Sequence, residues 1–176
     1  MWRLQYRNFG THATLVGNFT VDVGGDQAGI RWFELRKSGG GNWSLQQQGT
    51  HAPDSDHRWM GSIAMDQAGN IALGYSVSSG TTFPAIRYAT RLANDGPGTL
   101  QTEASLIAGN ASQTGFDRWG DYSSMNVDPA DDCTFWYTNE YFAGNGNWLT
   151  RVGTFKMSGC PSSISIQEIY LPVVVK

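Results

Sequence analysis

Hydrophobic and polar residues alternate along short stretches of this chain, and glycine punctuates the gaps between them. LVGNFTV (15–21), IRWFELR (30–36), SIAMD (62–66), IALGYSV (71–77), IRYATRL (86–92), SSMNVD (123–128), CTFWYTNEY (133–141) and WLTRVGTFK (148–156) read as strands. Their apolar residues return at the two-residue period of a strand rather than the 3.6-residue period of a helix. Weaker runs at 43–50 and 100–109 follow the Gly-rich turns SGGGN and NDGPG. No stretch sustains a helical period, so the chain is predicted to be all-β with almost no helix.

The strands recur as a unit. LVGNFTV aligns with IALGYSV at an offset of 56, and CTFWYTN aligns with the latter at 62, which places Phe19, Tyr75 and Tyr137 in register. Arg31, Arg87 and Arg151 lead a second anchor at offsets of 56 and 64. A third anchor, HRWMGSIAMDQAGN (57–70), matches DRWGDYSSMNVDPADD (117–132); Asp66 and Asp128 open turns there. Asp suits that place because its carboxylate bonds the backbone two residues on. The counterpart RLQYRNFGTH (3–12) is degenerate.

A repeating unit of four strands over some 60 residues is the sequence pattern of a propeller blade. The expected fold is a partial β-propeller of about three four-stranded antiparallel blades, a single domain over 1–176 with units near 1–56, 57–115 and 116–176. A β-sandwich would also give short strands and turns, but not internal similarity at a fixed period. Closed propellers typically carry about four to eight blades. The chain is therefore expected to be the C-terminal part of a longer protein, or to close its ring by self-association. The terminal run SISIQEIYLPVVVK reads as a strand that completes a blade.

Composition agrees with many strands and tight turns: charged residues are only 15%, with 22 Gly, 7 Trp, 7 Tyr and 8 Phe. The net charge of −3, with no Lys/Arg run, lacks the electrostatic footprint of a nucleic-acid binder. No apolar run is long enough to span a bilayer, the first residues lack a signal-peptide core, and no cofactor motif is visible. Cys133 and Cys160 belong to no CxxC pair. They are two separate thiols in a reducing compartment or one disulfide in an oxidising one. Counting antiparallel from a hairpin at AGNGN places Cys133 opposite about residue 155, and Ser158 and Gly159 can fold back to bring Cys160 to it.

The candidate ligand-binding residues are Arg58, Trp59, Arg118, Trp119 and Asp121. The two Arg-Trp pairs fall at the entry to inner strands, where guanidiniums can converge on an anionic group. The competing reading is a repeated scaffold element, with Trp packed between units and Arg paired to Asp56 or Asp117. Asp117, Asp121, Asp128, Asp131 and Asp132 make an oxygen-rich stretch, but not at the spacing of an EF-hand loop. Tyr137 and Glu140 are three apart on one strand and point to opposite faces. His12, His51 and His57 fall in predicted loops without a matching nucleophile, so no catalytic residue is assigned. Loop aromatics Trp148, Phe83 and Tyr141 suit a glycan or protein partner. The sequons at Asn18, Asn42 and Asn110 are discounted, Asn18 lying inside a strand.

Two stretches, RWGDYSSMNVDPADDCTFWYTNEY (118–141) and HRWMGSIAMDQAGNIALGYS (57–76), resemble segments of large secreted bacterial proteins of the sialidase-like (BNR-type) propeller group. The closing IYLPVVVK is similar to C-termini of bacterial surface proteins. The resemblance implies a propeller fold and an extracellular or cell-surface location. Sialidases carry turns of the form S-x-D-x-G-x-T-W; AMDQAGNIA and NVDPADDCT lack the Ser before and the Thr-Trp after. The expected function is a non-catalytic extracellular module that binds glycan or protein partners. The alternative is a sialidase-like glycoside hydrolase whose remaining site lies in missing blades.

Overall fold

The computed structural model describes residues 4–115, 118–144 and 147–161. The first sheet holds β1 (Gln5–Asn8), β2 (Ala13–Asp22), β3 (Ala28–Lys37) and β4 (Ser44–His51). The second holds β5 (His57–Met65), β6 (Ile71–Ser78), β7 (Ala85–Arg91) and β8 (Ala104–Ile107). The third holds β9 (Ser124–Val127), β10 (Thr134–Ala143) and β11 (Asn147–Lys156). Each is an antiparallel meander in chain order, and the sheets do not close on themselves. No helix occurs among the described residues. The third sheet has three described strands rather than the expected four, and the terminal run expected to finish it lies outside the described residues.

The turns form for the reason the sequence suggests. Asp66 Oδ1 accepts the backbone N–H of Ala68 and Asn70, both at 2.9 Å, and Asp128 Oδ1 accepts that of Ala130 at 2.8 Å. In the first sheet Phe9 stands in that place, its N–H donating to His12 O at 2.9 Å with Gly10 at φ 79°. Asn8 Oδ1 accepts the Gly10 N–H at 2.8 Å, so the cap comes from an asparagine one residue earlier rather than from an aspartate in that place, which is why the first unit looks degenerate.

The second sheet is the middle layer. Ile71, Leu73 and Tyr75 pack with Val16, Ile30 and Trp32 of the first sheet. Ala64, Ala72 and Ile86 pack with Met125, Phe135 and Tyr137 of the third. β6 is consequently buried along its length from Ile71 to Val77, as a strand covered on both faces must be. Its alternation is one of size: Ile, Leu and Tyr toward the first sheet, Ala72, Gly74 and Ser76 toward the third. Gly74 is the extreme case, since a Cβ built there would lie 2.3 Å from the Tyr137 ring.

Strand pairing corrects one register. Arg31 lies opposite Phe19, Arg87 opposite Tyr75 and Arg151 opposite Asn139. The arginine anchors are thus in step, but Tyr137 corresponds to Leu73, not to Tyr75. The turn from Asp128 to Phe135 is two residues longer than that from Asp66 to Ile71. A two-residue slip keeps every side chain on its face, so the aromatic match looked sound.

Cys133 and Cys160 form a disulfide with their Cα atoms 5.8 Å apart. Thr134 lies opposite Lys156, and Gly159 at φ 88° turns the chain back toward Cys133. Closing a loop of this sequence separation, 27, stabilises by roughly 3–4 kcal/mol in the chain-entropy account.

Replacing Gly74 by Ala is expected to destabilise the protein by about 1–3 kcal/mol, the cost of overpacking against a ring that cannot retreat. Tyr137→Leu in the same chain should recover part of the loss. Urea unfolding of the single and double variants measures the coupling, and an unperturbed Gly74→Ala protein would refute this packing.

Candidate functional site

The two Arg-Trp pairs part company in the structure. Arg58 lies on β5, its side chain fully enclosed. Its Nη1 and Nη2 donate to the two oxygens of Asp54 at 2.7 and 2.9 Å. Its Nε and Nη2 donate to the two oxygens of Glu103 at 3.0 and 2.9 Å. Glu103 also accepts from Arg87 Nη1 at 2.5 Å and from the Tyr75 hydroxyl at 2.8 Å, and His51 Nε2 lies 2.8 Å from that hydroxyl. The network joins the end of β4 to the second sheet. Burial opposes the charge on Glu103, but the hydrogen bonds from His51, Arg58, Tyr75 and Arg87 outweigh it and hold the carboxyl far below the glutamate range. Arg58 serves this scaffold and lines neither cleft described below. Its carboxylate partners are Asp54 and Glu103, and Asp56 contributes only its backbone carbonyl, at 2.8 Å. His51 closes β4 and His57 opens β5, so both lie in strands rather than the predicted loops. Tertiary pairing extended these strands past their weak sequence signals.

Arg118 and Trp119 lie in the loop that leads into β9, not on a strand, so the Arg-Trp repeat does not hold in space. The tryptophans nevertheless meet, Trp59 packing on Trp119 with ring centroids 6.1 Å apart. Trp119 Nε1 donates to Ser76 Oγ at 2.9 Å, and buried Asn139 Nδ2 donates to the same oxygen at 3.1 Å. Ser123 Oγ donates to Met60 O at 2.7 Å and pins the far end of the loop to β5. Between these anchors Gly120, at φ 63°, makes the turn and donates its N–H to Glu140 Oε2 at 3.0 Å. Only glycine adopts that conformation without strain.

This loop and the ends of β10 and β11 enclose an open cleft of about 370 Å³. Arg118, Trp119, Asp121, Tyr122, Glu140 and Trp148 line it. Arg118 Nε donates to Asp121 Oδ2 at 2.6 Å, with the arginine side chain 84% exposed. Glu140 lies opposite Thr150, so both side chains leave the outward face of the third sheet. Of the candidate residues, Arg118, Trp119 and Asp121 reach the cleft, whereas Arg58 and Trp59 do not line it. Glu140 and Tyr122 were missed as site residues. Tyr137 and Glu140 do point to opposite faces: Tyr137 is fully buried against Gly74, and Glu140 opens on the cleft. Trp148 and Phe83 are exposed as the sequence suggested, while Tyr141 packs at the edge of the second core.

A second cleft, of about 290 Å³, adjoins the first. Asn18, Phe19 and Thr20 of β2, Met60 and Gly61 of β5, and Ser123 line it, and it shares Asp121 and Tyr122 with its neighbour.

The acidic stretch disperses into separate tasks. Asp121 pairs with Arg118, and Asp128 accepts from Trp136 Nε1 at 2.9 Å. Asp131 accepts the N–H groups of Cys133 and Thr134 together with Lys156, and Asp132 pairs with Arg7 at 2.6 Å. Asp117 lies outside the described residues. Among the described residues no group of three or more His, Cys, Asp or Glu converges as a metal site would require.

Burial raises the Glu140 carboxyl above the ordinary glutamate range; the Gly120 N–H opposes this, and the neighbouring charge of Asp121 adds to it. The cleft therefore holds one carboxylate tied to an arginine and one that resists ionisation.

Comparison of the chain with protein-family models, curated proteins and solved structures returns no match.

Two outcomes are expected. First, because Glu103 titrates lower folded than unfolded, its stabilising contribution is complete above its unfolded value of about 4.3 and is lost as pH falls below it. Glu103→Gln should cost about 3–5 kcal/mol at pH 7, since it leaves Arg58 partly uncompensated, and the gap to wild type should narrow at pH 3. A gap independent of pH in urea unfolding would refute the network. Second, Asp121→Asn should lower the Glu140 titration midpoint followed by carboxyl carbon NMR. An unmoved midpoint would show that the two carboxyls are not coupled.

Proposed function

We propose that this chain is a non-catalytic glycan-binding module of β-propeller type that works outside the cell. The observation that carries the reading is the cleft walled by Trp119, Tyr122 and Trp148 around Asp121 and Glu140. Trp148 and Tyr122 are 64% and 62% exposed, well above what packing alone leaves for such large rings. Aromatic faces cover the apolar face of a sugar ring, and carboxylates accept from its hydroxyls. The propeller reading draws on three meanders stacked in chain order and on a repeated sequence unit. The first sheet's outward face leaves Leu4, Phe19 and Leu45 40% or more exposed, as a ring continued by further blades or by a second copy requires. The disulfide supports an oxidising compartment.

The charge in the cleft favours neutral sugars over anionic ones. Two acidic groups face one arginine, and that arginine is already paired. A sialidase-like site gathers free guanidiniums on the substrate carboxylate, and here Arg58 is enclosed while Arg118 is held by Asp121.

One observation favours the hydrolase reading. Two carboxyls face the cleft in unlike surroundings, Glu140 raised by burial and Asp121 paired with Arg118, and glycoside hydrolysis uses two carboxyls in unlike environments.

Calorimetric titration with β-1,4-linked glucose and N-acetylglucosamine hexamers, and with sialyllactose, separates these readings. A neutral hexamer should bind and be recovered intact, sialyllactose should not bind, and Trp148→Ala should weaken binding at least about tenfold. Binding of neither hexamer overturns the glycan reading. Accumulating reducing ends that Glu140→Gln abolishes would put hydrolysis in its place.

A further inference from the structure

The second cleft contains a group that the fold leaves unused. Asn18 is 5% exposed, and what remains exposed faces that cleft. Among the described residues no hydrogen bond reaches its side-chain amide, although an amide offers two donors and an acceptor. Its amide atoms stay open to solvent through the cleft rather than sealed in the core, so a ligand hydroxyl can reach them there. The surroundings keep the amide in place. A Cβ on Gly61 would lie 2.3 Å from Asn18 Oδ1, so the absence of a side chain there is what admits the amide. Gly61 sits in the bulge of β5 between Trp59 and Ser62, where Met60 adopts φ 51°, a conformation uncommon for a residue with a side chain. Bulges of this kind re-aim backbone beside sites.

Tyr122 and Asp121 belong to both clefts, so the second continues the first across the tyrosine. Taken singly, 370 and 290 Å³ lie near or below the small end of ligand pockets, about 300–1,000 Å³. Asp121 is the one carboxylate among the described residues lining the second cleft, and Asn18 and Thr20 bring neutral hydrogen-bonding groups.

We propose that the two clefts are one groove, and that its ligand is a neutral oligosaccharide lying across Tyr122, stacked near Trp148 at one end and hydrogen-bonded to Asn18 at the other. The inference rests on the glycan-binding reading and deepens it from a sugar to a chain. The ligand hydroxyls satisfy the Asn18 amide, and the exposed tyrosine ring covers the sugar between the two ends.

The test is a length series, one to six units, of β-1,4-linked glucose and of N-acetylglucosamine, titrated into the folded chain and three variants. Affinity should climb with length beyond the disaccharide. Asn18→Ala should weaken hexamer binding by about three- to tenfold, the loss of one hydrogen bond, and flatten the climb. Thr20→Trp, at an exposed strand position, should flatten it by filling the second cleft, which keeps the test decisive if the Asn18 variant fails to fold. Trp148→Ala should weaken every length that binds. A wild-type affinity independent of length overturns the inference and leaves the glycan reading standing, as does a climb untouched by both second-cleft substitutions. No binding at any length overturns both.

Discussion

Everything in this structure depends on the middle sheet having no face of its own toward water. A strand covered on both sides cannot use polarity to tell its faces apart, and β6 uses volume instead. Ile71, Leu73 and Tyr75 fill the space toward the first sheet, and Ala72, Gly74 and Ser76 let the third approach. Interiors pack at crystal-like density, so a small row on one strand requires a large residue opposite it. Tyr137 over Gly74 is that residue. The separation of second and third sheets is set there, and the loop that makes the cleft bridges the same two sheets.

The cleft is a by-product of that packing in a specific sense. Ser76, the last of the small row, leaves room for a polar contact where a larger side chain would have sealed the gap. Trp119 and Asn139 both bond its hydroxyl, and the loop from Arg118 to Ser123 is held at that anchor and at Met60. Glu140 follows Asn139 directly, and the backbone N–H of Glu140 bonds the Asn139 side chain at 2.8 Å. The Ser76 hydroxyl thereby ties the strand end that carries the carboxylate, through Asn139, to the loop that faces it, through Trp119.

The strands were legible because their signal is local. A two-residue period, Asp at the turns and Gly-rich breaks identify elements without reference to the fold, and the repeating unit follows from them. The disulfide was legible from hairpin counting, because antiparallel register is arithmetic once the turn is located. The site was legible only in part. Arg118, Trp119 and Asp121 attracted notice through a dipeptide that recurs, yet the recurrence is a coincidence of sequence: Arg58 is strand and scaffold, Arg118 is loop and surface. Nothing local separates them, since what decides is whether a carboxylate from elsewhere, Glu103, reaches the guanidinium. Glu140 was set aside for the right geometric reason, its opposition to Tyr137, but that reason excludes only a partnership between the two. The outward face of the third sheet gains its cleft through a loop whose path no periodicity records.

The divergence of the two arginines also explains the character of the cleft. A guanidinium taken wholly out of water must be matched by fixed carboxylates, and Arg58 takes two of them, with Glu103 spending its remaining capacity on Tyr75 and Arg87. No positive charge from that assembly is left for the molecular surface. On the other side of Trp119, Arg118 stays in water, where Asp121 offsets its charge at little cost to either. The excess that remains beside it is the Glu140 carboxyl, and burial keeps even that group reluctant to ionise. A groove built this way attracts no strong counter-ion and offers hydrogen bonds and aromatic faces in place of charge. Recognition by such a surface has to come from shape and from unpaired polar groups such as the Asn18 amide, which is the physical basis for reading it as a site for an uncharged, polyhydroxylated chain.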